Sequence, residues 1–143
     1  MPGNKSDIIV YTDGACSGNP GEAGIGIVML CGSHRKEISL SIGKATNNIA
    51  ELTAIKTALE NIKKKDRTVI IHTDSEYALG VLTGIYRVRK NKELIESIKE
   101  LFLQFKAIEI VKVSGHSGVL ENERADRLAT KAIEQKQDGQ ESL

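Results

Sequence analysis

The stretch Ile8-Ile9-Val10-Tyr11-Thr12-Asp13-Gly14 decides the fold. It is a run of β-forming residues, apolar on both faces, that ends in a carboxylate and breaks into Ser17-Gly18-Asn19-Pro20-Gly21. Apolar character on both faces suits a buried central strand. The pattern recurs at Val69-Ile70-Ile71-His72-Thr73-Asp74-Ser75. Two strands that each end in Thr-Asp raise the question whether both acids serve one site.

Working outward, residues 7–13 read as a strand and residues 14–22 as a glycine-rich loop. Ala23 to Cys31 alternates as a second strand, Gly32-Ser33 marks a hairpin turn, and His34 to Gly43 reads as a half-buried antiparallel strand. After Ala45 the period changes from two to 3.6. Thr46-Asn47-Asn48 offers N-caps, Asn48 with Glu51 resembles a capping box, and Leu52, Ile55, Leu59 and Ile62 form the apolar stripe of a helix. Arg67 to Asp74 follows at the right distance for a parallel crossover onto the first strand. Asp13 and Asp74 then lie at the carboxyl ends of neighbouring strands, the edge where open α/β sheets bind ligands. A short helix from Ser75 to about Thr83, a basic connection at 86–92, a helix over 93–105, a strand over 108–113 and a helix over 120–135 complete the chain. The order is βββαβααβα, an α/β fold with helices packed on a mixed sheet.

At 143 residues the chain is expected to form one domain spanning 1–143, with its core at about 7–135 and a polar tail at 137–143. With 40% hydrophobic and 27% charged residues it should be globular rather than disordered. A net charge of +1 gives no overall attraction to nucleic acid, so any basic surface must be local. Cys16 and Cys31 lack metal-type spacing, which argues against a zinc site or a disulfide framework. No apolar run approaches the roughly 18 residues of a membrane span, and the N-terminus has no signal-like core, so the expected compartment is the cytoplasm.

Four acids stand where the pattern does not need them for solubility. Asp13 and Asp74 end central strands, Glu51 sits in the first turns of the long helix, and Asp126 adjoins the inward-facing Ala125. Singly, each has a bland role as turn former, capping partner or solvated helix residue. Converging on one sheet edge, they would repel one another and their pKa values would rise unless a cation intervened. An all-oxygen set favours Mg²⁺ or Mn²⁺ over Zn²⁺, and a carboxylate-rich open site points to phosphoryl chemistry. His116, between Gly115 and Gly118, could act as a proton carrier. His34 and His72 read as structural.

Four blocks, Tyr11 to Gly21, Thr46 to Leu52, His72 to Tyr77 and Gly115 to Ala129, together resemble ribonuclease H type 1 over about residues 7–135. The resemblance implies a five-stranded mixed sheet with its first three strands antiparallel and helices on both faces. It implies endonucleolytic hydrolysis of the RNA strand of an RNA/DNA hybrid, leaving 3′-hydroxyl and 5′-phosphate ends. It also implies two Mg²⁺ ions held by Asp13, Glu51, Asp74 and Asp126, with Mn²⁺ a substitute, and His116 assisting proton transfer or product release. Asn19, Asn48 and Glu76 match positions that read the hybrid's minor groove, where 2′-hydroxyls distinguish RNA from DNA. Gly14, Ala15 and Cys16 should approach the RNA strand, and Thr46 and Asn47 match a pocket for a DNA phosphate.

The sequence departs from the family pattern in two places. Glu76 stands where many members carry glutamine. The region after Gly84 has no tryptophan-containing basic protrusion, leaving Tyr86, Arg87, Arg89, Lys90 and Lys92 as a candidate DNA-strand contact or a solvated loop. The expected consequence is weaker hybrid binding with the chemistry intact, by a monomer. Two other classes compete. A non-catalytic hybrid-binding module on this fold would be expected to lack a carboxylate, and none is missing. An integrase or resolvase would not be expected to carry the Asn19 loop and the Thr46-Asn47-Asn48 block.

Overall fold

A computed structural model of the chain describes residues 6–114 and 120–141, with side chains through residue 135. The elements run β1 (Ile8–Gly18), β2 (Gly21–Cys31), β3 (His34–Ala45), α1 (Asn47–Glu60), β4 (Thr68–Thr73), α2 (Glu76–Thr83), α3 (Lys92–Phe102), β5 (Ala107–Lys112) and α4 (Leu120–Glu141). They form a five-stranded sheet in the order β3-β2-β1-β4-β5. β1, β2 and β3 are antiparallel, whereas β4 pairs parallel with β1 and with β5. Val10 pairs with Ile71, so β1 and β4 run in step toward Asp13 and Asp74. No described helix is long and apolar enough to cross a membrane.

The boundary at Asp13 differs from the expected one. The glycine-rich segment 14–22 is not a loop. β1 continues to Gly18 and β2 begins at Gly21, leaving Asn19 and Pro20 as the turn. Ladder hydrogen bonds, in register from Ile9↔Leu30 to Gly18↔Gly21, hold this segment extended despite its glycines. The acid that looked like a strand terminator therefore sits inside a strand, paired with Gly26 of β2, while the pairing with β4 ends at Tyr11.

The core lies between the sheet and α1, α2 and α3. Val10, Ile25, Ile27, Leu52, Ile55, Leu59, Val69 and Ile71 are buried there. On the other face α4 packs on β1, β2 and β3, with Ala125, Leu128 and Ala129 buried. Two glycines make this packing possible. A Cβ on Gly26 would overlap the Ala125 carbonyl oxygen and lie 2.6 Å from the Ala129 nitrogen, and one on Gly24 would overlap the Ala129 carbonyl. The helix backbone thus rests directly on the strand.

Gly26→Ala should destabilise the protein by about 1–3 kcal/mol or more, because the helix must lift off the sheet. Gly43 has a φ of 79° and open space around it. Gly43→Ala should cost only about 1 kcal/mol of backbone strain. Denaturant midpoints compare the two, and the expected result is a clearly larger shift for Gly26→Ala.

Candidate active site

Four elements deliver four acids to one end of the sheet. Asp13 projects from β1 and is buried, at 7% exposure. Asp74 follows the last residue of β4, and the next residue, Ser75, caps α2 by accepting from the Ala78 N–H at 3.0 Å. Glu51 comes from the first turns of α1. Its carboxylate does not close a capping box on Asn48. It accepts the Gly14 N–H at 2.8 Å, and Thr46 serves as the N-cap by accepting from the Ile49 N–H at 3.2 Å. Gly14 is required here: a Cβ would lie 2.5 Å from the Ala50 carbonyl carbon and 2.6 Å from the Glu51 nitrogen.

Ligand oxygens of Asp13, Glu51 and Asp74 all lie within 4.8 Å of one another. Asp126 reaches the same group from α4, where a hydrogen bond links it to the protonated form of Asp13. It is the most exposed of the four, on the solvent side of the cluster. The turn that carries it is held by an ion-pair network in which Arg124 meets Glu37 of β3 at 2.8 Å and Arg35 bridges Glu37 and Glu121, each at 2.7 Å.

This proximity distorts the acids. Burial, then the Glu51 charge, the hydrogen bond with Asp126 and the charges of Asp74 and Asp126 push Asp13 up from 3.8 to about 9. Every one of these influences acts in the same direction, and no cation among the described residues offsets them. Glu51 rises from 4.5 to about 8, chiefly by burial and then by the Asp74 charge, although the Gly14 N–H pulls it back. Clustered oxygen ligands with uncompensated charge fit a hard divalent cation, whose charge would reverse the local electrostatics.

The surrounding polar residues are mutually engaged. Asn19 Oδ1 accepts the Asn47 N–H at 3.0 Å, tying the β1–β2 turn to the start of α1. Cys16 Sγ donates to the Ala45 carbonyl at 3.3 Å. Gly14, Ala15 and Cys16 are half-buried along β1, and Asn47 and Asn48 are exposed at the N-terminus of α1. A cleft of about 300 Å³ runs from Asn48 past Tyr77 to Arg87, Arg89 and Lys90. Glu76 lies beside the Tyr86 hydroxyl, whose pKa its charge raises, while the Tyr86 ring lies against Gly80 and the Tyr86 backbone N–H donates to the Gly80 carbonyl at 3.0 Å. The basic connection is therefore fastened to α2.

Asn91, not singled out from the sequence, donates to the Tyr77 hydroxyl at 3.0 Å and has a φ of 61°. Its position just before Lys92 was the available signal, since asparagine tolerates the left-handed region. His72 stacks on Tyr11 with ring centroids 4.4 Å apart, in keeping with a structural role. His116 lies outside the described residues.

The family match follows the same architecture. A family model described as RNase H matches residues 5–134. A ribonuclease H of Desulforamulus reducens is 41% identical over 92% of this chain and 91% of its own. One from Thiobacillus denitrificans is 42% identical over 90% of this chain and 95% of its own. Among solved structures, RNase H1 from the halophilic archaeon Halobacterium salinarum superimposes with a TM-score of 0.81 at 32% identity, covering 90% of this chain and 98% of that one. LC11-RNase H1, solved in complex with an RNA/DNA hybrid, gives a TM-score of 0.80 at 34% identity over 90% of this chain and 98% of its own. With the acids of β1, α1, β4 and α4 meeting at one sheet edge on the fold these relatives share, the chain belongs to the RNase H family and is a hydrolytic nuclease.

Proposed function

We propose that this enzyme cleaves the RNA strand of RNA/DNA hybrids endonucleolytically, leaving 3′-hydroxyl and 5′-phosphate ends. The observation that carries the proposal is the Asp13–Glu51–Asp74 cluster, with Asp126 joined to Asp13. A relative of matching fold was solved with such a hybrid. The four carboxylates would hold two Mg²⁺ ions, or Mn²⁺ in their place. When bound, the ions would lower the pKa of a water and stabilise charge on the attacking and leaving oxygens.

The chain's own residues supply the rest. Gly14 orients Glu51 through its N–H. The backbone of Gly14, Ala15 and Cys16 forms a wall low enough for the RNA strand to approach. Asn19 and Asn48 would contact groove edges where the 2′-hydroxyls lie, and Thr46 and Asn47 would receive a DNA phosphate at the N-terminus of α1. Arg87, Arg89 and Lys90 would follow the DNA strand along the cleft. Glu76, occupied by Tyr86, would shape that cleft as well as border the groove. His116 would carry a proton at the reacting phosphate or aid product release.

Incubation with labelled RNA/DNA hybrid, duplex RNA and duplex DNA tests the proposal. Hybrid should be cut in Mg²⁺ and left intact in chelator, duplex DNA should survive, and the new 5′ ends should carry phosphate. Asp74→Asn should lower hybrid cleavage by about three orders of magnitude or more, as expected when several kcal/mol of charge stabilisation are lost, with the fold retained. Cleavage at the wild-type rate would remove Asp74 from the ligand set.

Replacing Arg87, Arg89 and Lys90 with alanine should weaken hybrid binding. It should also flatten the slope of log affinity against log salt by about 0.7–0.9 for each phosphate no longer neutralised. An unchanged slope would leave these residues as a solvated loop.

The raised pKa values of Asp13 and Glu51 predict a pH signature. The folded metal-free chain retains protons that the unfolded chain has already released at the ordinary values of 3.8 and 4.5. The associated stability is full below those values and is lost as pH rises toward about 8 and about 9. Melting temperature in chelator should therefore fall across this window, and saturating Mg²⁺ should remove most of the decline. Asp13→Asn should flatten the chelator profile and lose the Mg²⁺ effect.

A further inference from the structure

The strand that carries Asp13 also buries a hydroxyl with nothing to bond. Thr12 is fully buried, at 0% exposure, and its Oγ1 has no hydrogen-bond partner among the described residues. Alternation along β1 puts Val10, Thr12 and Gly14 on the side that faces α1. Val10 lies in the core beneath that helix, and Gly14 lies against Ala50 and Glu51. Thr12 thus stands between the apolar core and the Gly14 N–H that holds Glu51. Two neighbouring hydroxyls are engaged. Thr73, which follows the Tyr11↔His72 pair, accepts the Ser75 N–H at 3.1 Å, and Ser75 accepts the Ala78 N–H at 3.0 Å. Of these three hydroxyls, Thr12 is the one left without a partner.

An unbonded hydroxyl in the interior costs stability, and packing does not ask for one here. The cross-strand partner of Thr12 is Ile27, and the preceding residue on the same side is Val10. Valine has the shape of threonine and favours strands, so it would fill the place without that cost. We propose that Thr12 is a positioning residue for Glu51, its hydroxyl donating to the Glu51 carboxylate when the cluster holds a divalent cation. The proposal rests on the metal-binding reading given above. Glu51 is the acid on the Thr12 side of the sheet, and its Oε1 already takes the Gly14 N–H at 2.8 Å. A second donor from the same strand fixes the rotation of the carboxylate, so that its ligand oxygen keeps one direction. Hydrogen bonds to an ionised acceptor are about twice as strong as neutral ones. The device therefore favours the ionised, metal-holding form of Glu51 over the protonated one. Asp13, the next residue, alternates to the α4 side, so Thr12 and Asp13 serve the cluster from opposite faces of β1.

Two substitutions separate the hydroxyl from its packing. Thr12→Val removes the hydroxyl and keeps the shape, and Thr12→Ser keeps the hydroxyl and loses a methyl group. Melting temperature is followed for both variants and the wild type across a Mg²⁺ titration, without nucleic acid. In chelator Thr12→Val should melt at or above the wild type, because the unbonded hydroxyl is gone. It should nevertheless need about tenfold more Mg²⁺ for half of its stabilisation, the effect of one lost hydrogen bond to a charged group. Thr12→Ser should melt lower in chelator, through the small void it leaves, and keep the wild-type Mg²⁺ midpoint. The Mg²⁺ needed for half-maximal hybrid cleavage should rise for valine and stay unchanged for serine. A hydroxyl with a purely structural role gives the opposite pattern, a Thr12→Val that melts well below the wild type with an unchanged midpoint, and that result would overturn the proposal. So would a midpoint raised equally in Thr12→Ser, which would make the methyl group responsible. A wild type whose melting temperature ignores Mg²⁺ would remove the metal reading and this proposal with it. A responsive wild type matched in midpoint by Thr12→Val would overturn this proposal alone.

Discussion

Two helices touch the sheet backbone to backbone, and the convergence of acids at the candidate active site depends on those contacts. α1 meets β1 at Gly14, where a side chain would collide with Ala50 and Glu51. α4 meets β2 at Gly26, where a side chain would collide with Ala125 and Ala129. In both helices the buried alanine at the contact is followed by an acid, Glu51 in one and Asp126 in the other. Interiors pack at crystal-like density, so such contacts leave little freedom. The acids are brought to Asp13 by these close helix–strand contacts, one from each face of the sheet. A larger residue at either glycine would move an acid as well as disturb the core.

The convergence is electrostatically unfavourable in the bare chain. Asp13 and Glu51 are pushed to about 9 and about 8, and for Asp13 no influence acts the other way. Among the described residues, the local counterweight is the Gly14 N–H on Glu51. A site that holds unpaired like charges in the interior at the expense of stability is what a function-driven arrangement looks like. The charges on the outside of α4 are handled differently. Arg35, Glu37, Glu121 and Arg124 alternate in sign and neutralise one another, and Glu37 falls to about 2. The acids whose repulsion goes uncompensated thus lie at the end of the sheet where ligands bind in α/β folds.

The basic connection after α2 shows how a short segment gains shape without a helix of its own. Tyr86 is fixed by Glu76, by the Gly80 carbonyl and by the flat surface that Gly80 leaves on α2. Asn91 fixes the other end through Tyr77. Between these points Arg87, Arg89 and Lys90 border a cleft that begins at Asn48 on α1.

The element order, the sheet class and the four acids were legible in the sequence, because period-two and period-3.6 patterns and Thr-Asp strand ends are local properties of the chain. The short helix after Asp74 and the parallel crossover were legible for the same reason. Three features were not. Residues 14–18 contain the glycines of a loop yet form strand, since pairing with β2 overrides local preference. Glu51 has the spacing of a capping partner yet bonds Gly14, which lies 37 residues away in sequence. Glu76 appeared free to face a ligand yet is engaged by Tyr86. The sequence by itself determined which residue types could do the chemistry and on which elements they ride. Only the tertiary structure decided which of them meet, because meeting depends on how closely two backbones approach, and that is set by glycines whose partners lie far along the chain.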